Sequence, residues 1–92
     1  MDVRRVVRVV NRQGLHARPC HSIVSAALAF QSELRIRCQG REVNGKSILE
    51  LMTLSACAGT ELEVRCWGCD AEGLAAELET LFAEGFGEDL AS

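Results

Sequence analysis

Asn11-Arg12-Gln13-Gly14-Leu15-His16-Ala17-Arg18-Pro19 is the stretch on which the reading of this chain turns. Ahead of it, Val3 to Val10 consists of β-branched apolar residues and arginines, which favours a strand over a helix. Behind it, Cys20, Ile23, Val24, Ala27 and Phe30 recur at helical spacing and predict a helix from His16 to about Phe30. Gly14 breaks the strand, Asn11 to Leu15 form the loop, and Pro19 fits the helix's first turn, where its missing N–H costs nothing. The stretch is a strand-to-helix junction. Within the strand the alternation is imperfect, with Val7 and Val9 expected inward and Arg4 and Arg8 outward.

The junction also carries chemistry. A helix start presents unpaired backbone N–H groups and a partial positive charge, so it favours anions. His16 brings a ring whose charge changes nearest neutral pH and whose nitrogens can act as nucleophiles. A lone histidine beside a helix start is more often a cap or a solvated residue. Arg18 argues against that here, because a cation in the first turn opposes the helix dipole unless an anion joins it. Imidazole, guanidinium and exposed N–H donors together suit a phosphoryl group.

Downstream, Ser32 to Gln39 alternates, with Leu34, Ile36 and Cys38 on one face and Glu33, Arg35 and Arg37 on the other. Gly40 marks a turn into a short strand at Arg41 to Val43. Ser47-x-x-Glu50 is a capping-box pattern opening a short helix that ends near Thr53 or Leu54, each side chain able to satisfy an N–H of the other residue. Ala58-Gly59-Thr60 turns the chain into a fourth strand, where Leu62, Val64 and Cys66 alternate with Glu61, Glu63 and Arg65. Leu74, Ala75, Leu78, Leu81, Phe82 and Phe86 form one helical stripe between Ala71 and about Phe86, and residues 87–92 are expected to fray. The order is β-α-β-β-α-β-α. One-faced strands of this kind point to an α+β fold, an antiparallel sheet of four strands with helices packed on one face.

At 92 residues the chain suits a single domain over 1–92 with one modest core. A net charge of −3 and a pI near 5.3 argue against nucleic-acid binding, as does the lack of stacking aromatics on the central strands apart from Trp67. No apolar run approaches a bilayer span and no signal peptide opens the chain, so a cytoplasmic protein with no membrane insertion is expected. Five cysteines, an odd number, read as reduced apolar residues rather than a disulfide framework. Cys66-Trp-Gly-Cys69 is a lone C-x-x-C. A metal- or redox-responsive module using it with Cys20 and His21 lacks a convincing ligand set, and no metal or cofactor is expected.

Gly14-Leu15-His16-Ala17-Arg18-Pro19 resembles the active-site motif of the HPr family, the histidine phosphocarriers of the bacterial phosphotransferase system. Val43-Asn44-Gly45-Lys46-Ser47-Ile48 resembles the family's regulatory-serine segment, and Gly59 to Val64 and Gly68 to Ala71 resemble its last strand and the turn into its last helix. The resemblance implies an open-faced β-sandwich with strand order 1-4-2-3, placing Glu61 and Glu63 between the arginines of strands one and two. It implies that His16 accepts phosphate on Nδ1, held by Arg18 and the N–H groups of Ala17 and Arg18. It makes Ser47 a regulatory site for HPr kinase/phosphorylase, and Ile48, Leu49 and Met52 a docking patch. His21 and Cys20 depart from the small residues usual in the family, and His21 is either a rim residue of the docking face or simply solvated.

The implied role is a monomeric carrier of sugar transport, not an enzyme, that takes phosphate from enzyme I and hands it to sugar-specific enzyme IIA components. A regulatory paralogue acting in nitrogen or carbon control through His16 or Ser47 is the alternative.

Overall fold

The structure, a computed structural model, describes residues 1–91. Its strands are β1 (Asp2–Arg8), β2 (Glu33–Cys38), β3 (Arg41–Asn44) and β4 (Glu61–Trp67). Its helices are α1 (Ala17–Leu28), α2 (Ile48–Met52) and α3 (Ala71–Ala83), followed by a 3-10 turn at Gly85–Gly87. All strand pairs are antiparallel, in the order β1-β4-β2-β3, and the fold is an α+β open-faced sandwich.

The period-two pattern explains the buried side of the sheet. Val3 and Val7 of β1, Leu34, Ile36 and Cys38 of β2, and Leu62, Val64 and Cys66 of β4 are all buried, as is Val9 just beyond β1. Against them lie Cys20, Ile23 and Ala27 of α1, Leu51 of α2 and Leu74, Leu78 and Phe82 of α3. Burying the apolar stripe of each helix supplies most of what holds these short helices folded. Between Val3 and Val7 the inward position belongs to Arg5, which is half-buried and reaches out to Glu72 (2.6 Å) and Glu79 (3.6 Å) of α3. That is why the alternation of β1 looks imperfect: its guanidinium ends at the rim of the sandwich, paired to the covering helix.

Three expectations need correction. The capping box at Ser47 is only half made: Ser47 Oγ accepts from the Glu50 N–H (3.2 Å), but the Ser47 N–H donates to the Asn44 carbonyl (3.1 Å). With that donor taken, the Glu50 carboxylate turns to the Asn44 N–H instead (3.0 Å). Glu61 and Glu63 do not each lie between two arginines: Glu61 pairs with Arg8 of β1 (2.8 Å), and Glu63 stands opposite Arg37 of β2 with Val6 of β1 on its other side. Arg65, however, falls between Arg4 and Arg35 in the register, giving a row of three like charges across the open face. Such a row is unfavourable, and Asp2 (3.0 Å from Arg65) and the Trp67 ring (5.0 Å) offset part of it.

The third correction concerns the tail. Residues 87–91 are docked, while Ser92 lies outside the described residues. Asp89 O accepts from the Arg12 N–H (2.8 Å), Leu90 bridges Asn11, and the Ala91 N–H donates to Val10 O (2.8 Å). Phe86, at φ 58, turns its ring edge-on to Phe82 at 4.9 Å and helps to redirect the chain. The tail thus runs back along the residues that lead into the opening junction.

Elsewhere, Asp70 at the start of α3 turns away from its own helix. Its carboxylate accepts from the N–H groups of Gln31 and Ser32 (2.9 Å each) and from the Ser32 hydroxyl. The hydroxyl contact, with the backbone donors behind it, holds the Asp70 carboxyl below its ordinary range.

Candidate functional site

The site is assembled at the junction between β1 and α1. Gly14 adopts φ +73, and its carbonyl accepts from Asn11 Nδ2 (2.8 Å). The next residue, Leu15, is buried and donates its N–H to Ala56 O (2.9 Å), anchoring the loop to the segment before β4. His16 follows in extended geometry (φ −86, ψ −170) as the residue before the helix, without using its side chain as a cap. The first turn of α1 contains no acidic residue, and the N–H groups of Ala17 and Arg18 are among those a helix start leaves without intrahelical partners. Pro19 is buried in that turn. The local sequence therefore frees the ring and opens the helix end.

The imidazole does not stand alone. Nε2 lies 2.9 Å from each carboxylate oxygen of Glu88, brought in by the docked tail. Asn11, fully buried, donates from the same Nδ2 to Glu88 Oε1 (3.1 Å), so one amide ties the Gly14 loop and the tail carboxylate together. Nδ1 has no hydrogen-bond partner among the described residues. The ring opens into a cleft of about 400 Å³ lined by Arg12, Gln13, Arg18, Gly87, Glu88 and Asp89. Two guanidiniums therefore face the same opening as the ring. The His16 hydrogen bond, opposed by burial and helped by Asn11, holds the Glu88 carboxyl below its ordinary range.

The sign of the Glu88 shift gives a prediction. A carboxyl whose folded value lies below its unfolded one contributes stability above the unfolded value, and that contribution fades as pH falls through the folded one. The tail contact should thus be intact above about 4.5 and be lost progressively below it. Amide NMR shifts of Leu90 and Ala91 should move in that window, ahead of those of β4. Tail amides that stay put until the sheet itself unfolds would contradict this.

The predicted residues separate into two groups. His16 and Arg18 meet at the cleft, and Ala17 lies between them in sequence as the first residue of α1. Ser47, Ile48, Leu49 and Met52 sit apart on α2: Ser47 as its cap, Ile48 packed against the core, Leu49 and Met52 exposed. His21 is exposed on α1 and does not line the cleft. Asn11, Arg12 and Glu88 escaped sequence reasoning as site residues. Of the cysteines, Cys20 and Cys66 are buried, and burial pushes both thiols up to about 11, far from the thiolate that metal binding or redox chemistry needs. Cys69 is exposed, so the C-x-x-C pair is split between core and surface. Among the described residues no helix is long and apolar enough to cross a membrane.

Comparison with known proteins adds three likenesses and one family match. The family model described as PTS-HPr, "PTS HPr component phosphorylation site", matches residues 3–84. The chain is 40% identical over 87 residues to the phosphocarrier protein HPr of Treponema pallidum, covering 95% of this chain and 99% of that one. It is 32% identical over 90 residues to the phosphocarrier protein NPr of Escherichia coli, covering 97% and 100%. The crystal structure of HPr-C-His from Thermoanaerobacter tengcongensis superposes with a TM-score of 0.91 at 32% identity, over 96% and 99% of the two chains.

Proposed function

This chain belongs to the HPr family of phosphotransferase-system phosphocarriers, and we propose that it takes a phosphoryl group onto His16 Nδ1 from phosphorylated enzyme I and passes it to sugar-specific enzyme IIA components. The observation that carries this reading is the pairing of a ring whose Nε2 is engaged and whose Nδ1 is not with Arg18 at an open helix start. The Nδ1 lone pair forms the new bond to phosphorus, while the bond to the donor breaks and its electron pair leaves with the donor. Arg18 and the N–H groups of Ala17 and Arg18 neutralise charge on the equatorial oxygens, as cations and oriented donors do in phosphoryl transfer. The same groups serve the reverse step, when the phosphate moves on. The protein is a carrier rather than an enzyme, and a cytoplasmic location belongs to the same reading.

Incubation with enzyme I and phosphoenolpyruvate should give an acid-labile phosphoprotein, because phosphorus–nitrogen bonds break in acid whereas phosphoserine survives it. A chain that stays unlabelled would sink the proposal. Exposed Leu49 and Met52, with His21 at the rim, would supply the docking patch, and HPr kinase/phosphorylase would act at Ser47. A dianion there would be tolerated at a helix start yet repel acidic partners.

One observation favours a second reading, a regulatory paralogue: the relatives include a protein named NPr as well as those named HPr. Onward transfer to sugar-specific enzyme IIA distinguishes the two. It proceeds in a transport carrier and fails in a regulator that serves other acceptors.

A further inference from the structure

We infer that Glu88 is a positioning residue for phosphoryl exchange: its carboxylate holds a proton on His16 Nε2 and balances the positive charge of the ring once Nδ1 carries phosphate. This rests on the phosphocarrier reading and adds to it a residue outside the HPr-like motif, contributed by the tail.

The geometry comes first. Both Glu88 oxygens lie 2.9 Å from Nε2, and Asn11 Nδ2 fixes Oε1 from the other side at 3.1 Å. Asn11 is fully buried and the Glu88 side chain is only 13% exposed, so the carboxylate is held in place rather than swinging in water. The backbone fastens the tail on both flanks, through Gly85 O to the Glu88 N–H (3.0 Å) and through Asp89, Leu90 and Ala91 to residues 10–12. A carboxylate can only accept, so the shared hydrogen sits on Nε2. In the neutral ring a hydrogen on Nε2 leaves Nδ1 with its lone pair. The N–H axis of Nε2 and the lone pair of Nδ1 diverge around the ring. Glu88 therefore approaches on the side away from the incoming phosphate.

The charge balance follows from counting. The form that attacks is the neutral ring, with its proton on Nε2. When the Nδ1 lone pair bonds to phosphorus, the donor keeps the electron pair of the bond that breaks, and no proton moves. The ring now bears one positive charge, spread over both nitrogens, and the Glu88 carboxylate stands against it. An opposite charge at this distance favours the charged form. The consequence lies in the departure step: from a charged ring the phosphate leaves behind neutral imidazole, whereas from a deprotonated ring it must leave behind an imidazolate, a far poorer leaving group. A carrier needs the first state, and Glu88 maintains it.

A plain strut, in which Glu88 merely pins the tail, makes a different prediction. In Glu88→Gln the amide oxygen can still accept from Nε2–H and from Asn11, so the tail should remain docked, with the Leu90 and Ala91 amide shifts unchanged. The negative charge is gone. With phosphohistidine formed chemically by phosphoramidate, so that enzyme I is not involved, its half-life at pH 8 should lengthen on the order of tenfold in Glu88→Gln, the range expected for losing a charge-assisted bond. With enzyme I and enzyme IIA present, kcat for onward transfer should fall by a similar factor at unchanged KM. A half-life and a kcat both within twofold of wild type would reduce Glu88 to a strut and overturn the inference.

A second measurement needs no variant. In unphosphorylated wild type, nitrogen-15 spectra at neutral pH should show a proton on Nε2 protected from exchange and a bare Nδ1; a freely exchanging Nε2 proton would overturn the inference too. If enzyme I fails to label the wild type, the carrier reading falls, and the Nε2 proton and the chemically formed phosphohistidine still decide the role of Glu88.

Discussion

His16→Ala is expected to abolish phosphate uptake from enzyme I, lowering the rate by more than about 10⁴-fold, the scale seen when a nucleophile is removed outright. Folding should hardly notice. The His16 ring makes no cap bond to α1 and its side chain is 35% exposed, so its deletion leaves no sealed cavity. What is lost is the Glu88 contact, and Glu88 keeps Asn11 and the tail's backbone bonds. The net cost should be about 1 kcal/mol, visible as a melting temperature a few degrees lower. Separating the two losses is what makes the variant informative, since a large drop in transfer beside so small a drop in stability puts the effect in chemistry. The chain has a second histidine, His21, exposed on α1 and not among the residues that line the cleft. His21→Ala should still carry acid-labile phosphate. Retained acid-labile label in His16→Ala would place the acceptor elsewhere and remove the basis of the proposed function.

Much of this site was written locally, and the part that was not lies far away in sequence. Leu34, Ile36 and Cys38, like Leu62, Val64 and Cys66, announce their strands because a pleated backbone sends every second side chain inward. His16 and Arg18 stand two residues apart at a helix start, so a local pattern suffices to bring them together. Glu88 reaches His16 across 72 residues and Asn11 across 77, and no periodicity reports such a contact. The apolar stripe predicts a helix to about Phe86 and fraying from Gly87; α3 instead ends at Ala83, and Gly85, Phe86 and Gly87, all at positive φ, bend the tail onto residues 10–12. Asp70 makes a contact of the same long-range kind: it stands at the start of α3, and its carboxylate accepts from Gln31 and Ser32, 39 and 38 residues earlier. The strand arginines show the same limit. Their outward direction was readable from β1 and β2, but the register that stacks Arg4, Arg65 and Arg35 in one row is a property of three strands at once.

Gly14→Ala should be the most damaging single-methyl change near the site, destabilising the protein by about 3 kcal/mol. Two costs combine. Gly14 sits at φ +73, a conformation that costs a side-chain-bearing residue about 1–2 kcal/mol. The added Cβ would also stand 2.5 Å from Ala56 O and 3.2 Å from Cys57 Cα, both backbone, so neither can rotate away. Ala56 O is the acceptor of the Leu15 N–H (2.9 Å), and pushing it aside weakens the anchor of the loop that presents His16. For a domain of this size the melting temperature should fall by roughly 15 °C. Gly40→Ala isolates the first cost: that residue lies at φ +85 in the turn between β2 and β3, with nothing within 4 Å of the added Cβ. It should lose only about 1 kcal/mol, or roughly 5 °C, and keep its phosphate uptake. Gly14→Ala should also accept phosphate more slowly at temperatures where it is still folded, because the His16 N–H bonds to the Gly14 carbonyl (3.0 Å) and moves with it. Equal losses in the two variants would show that the approach to Ala56 costs nothing, and that Gly14 is there for its turn alone.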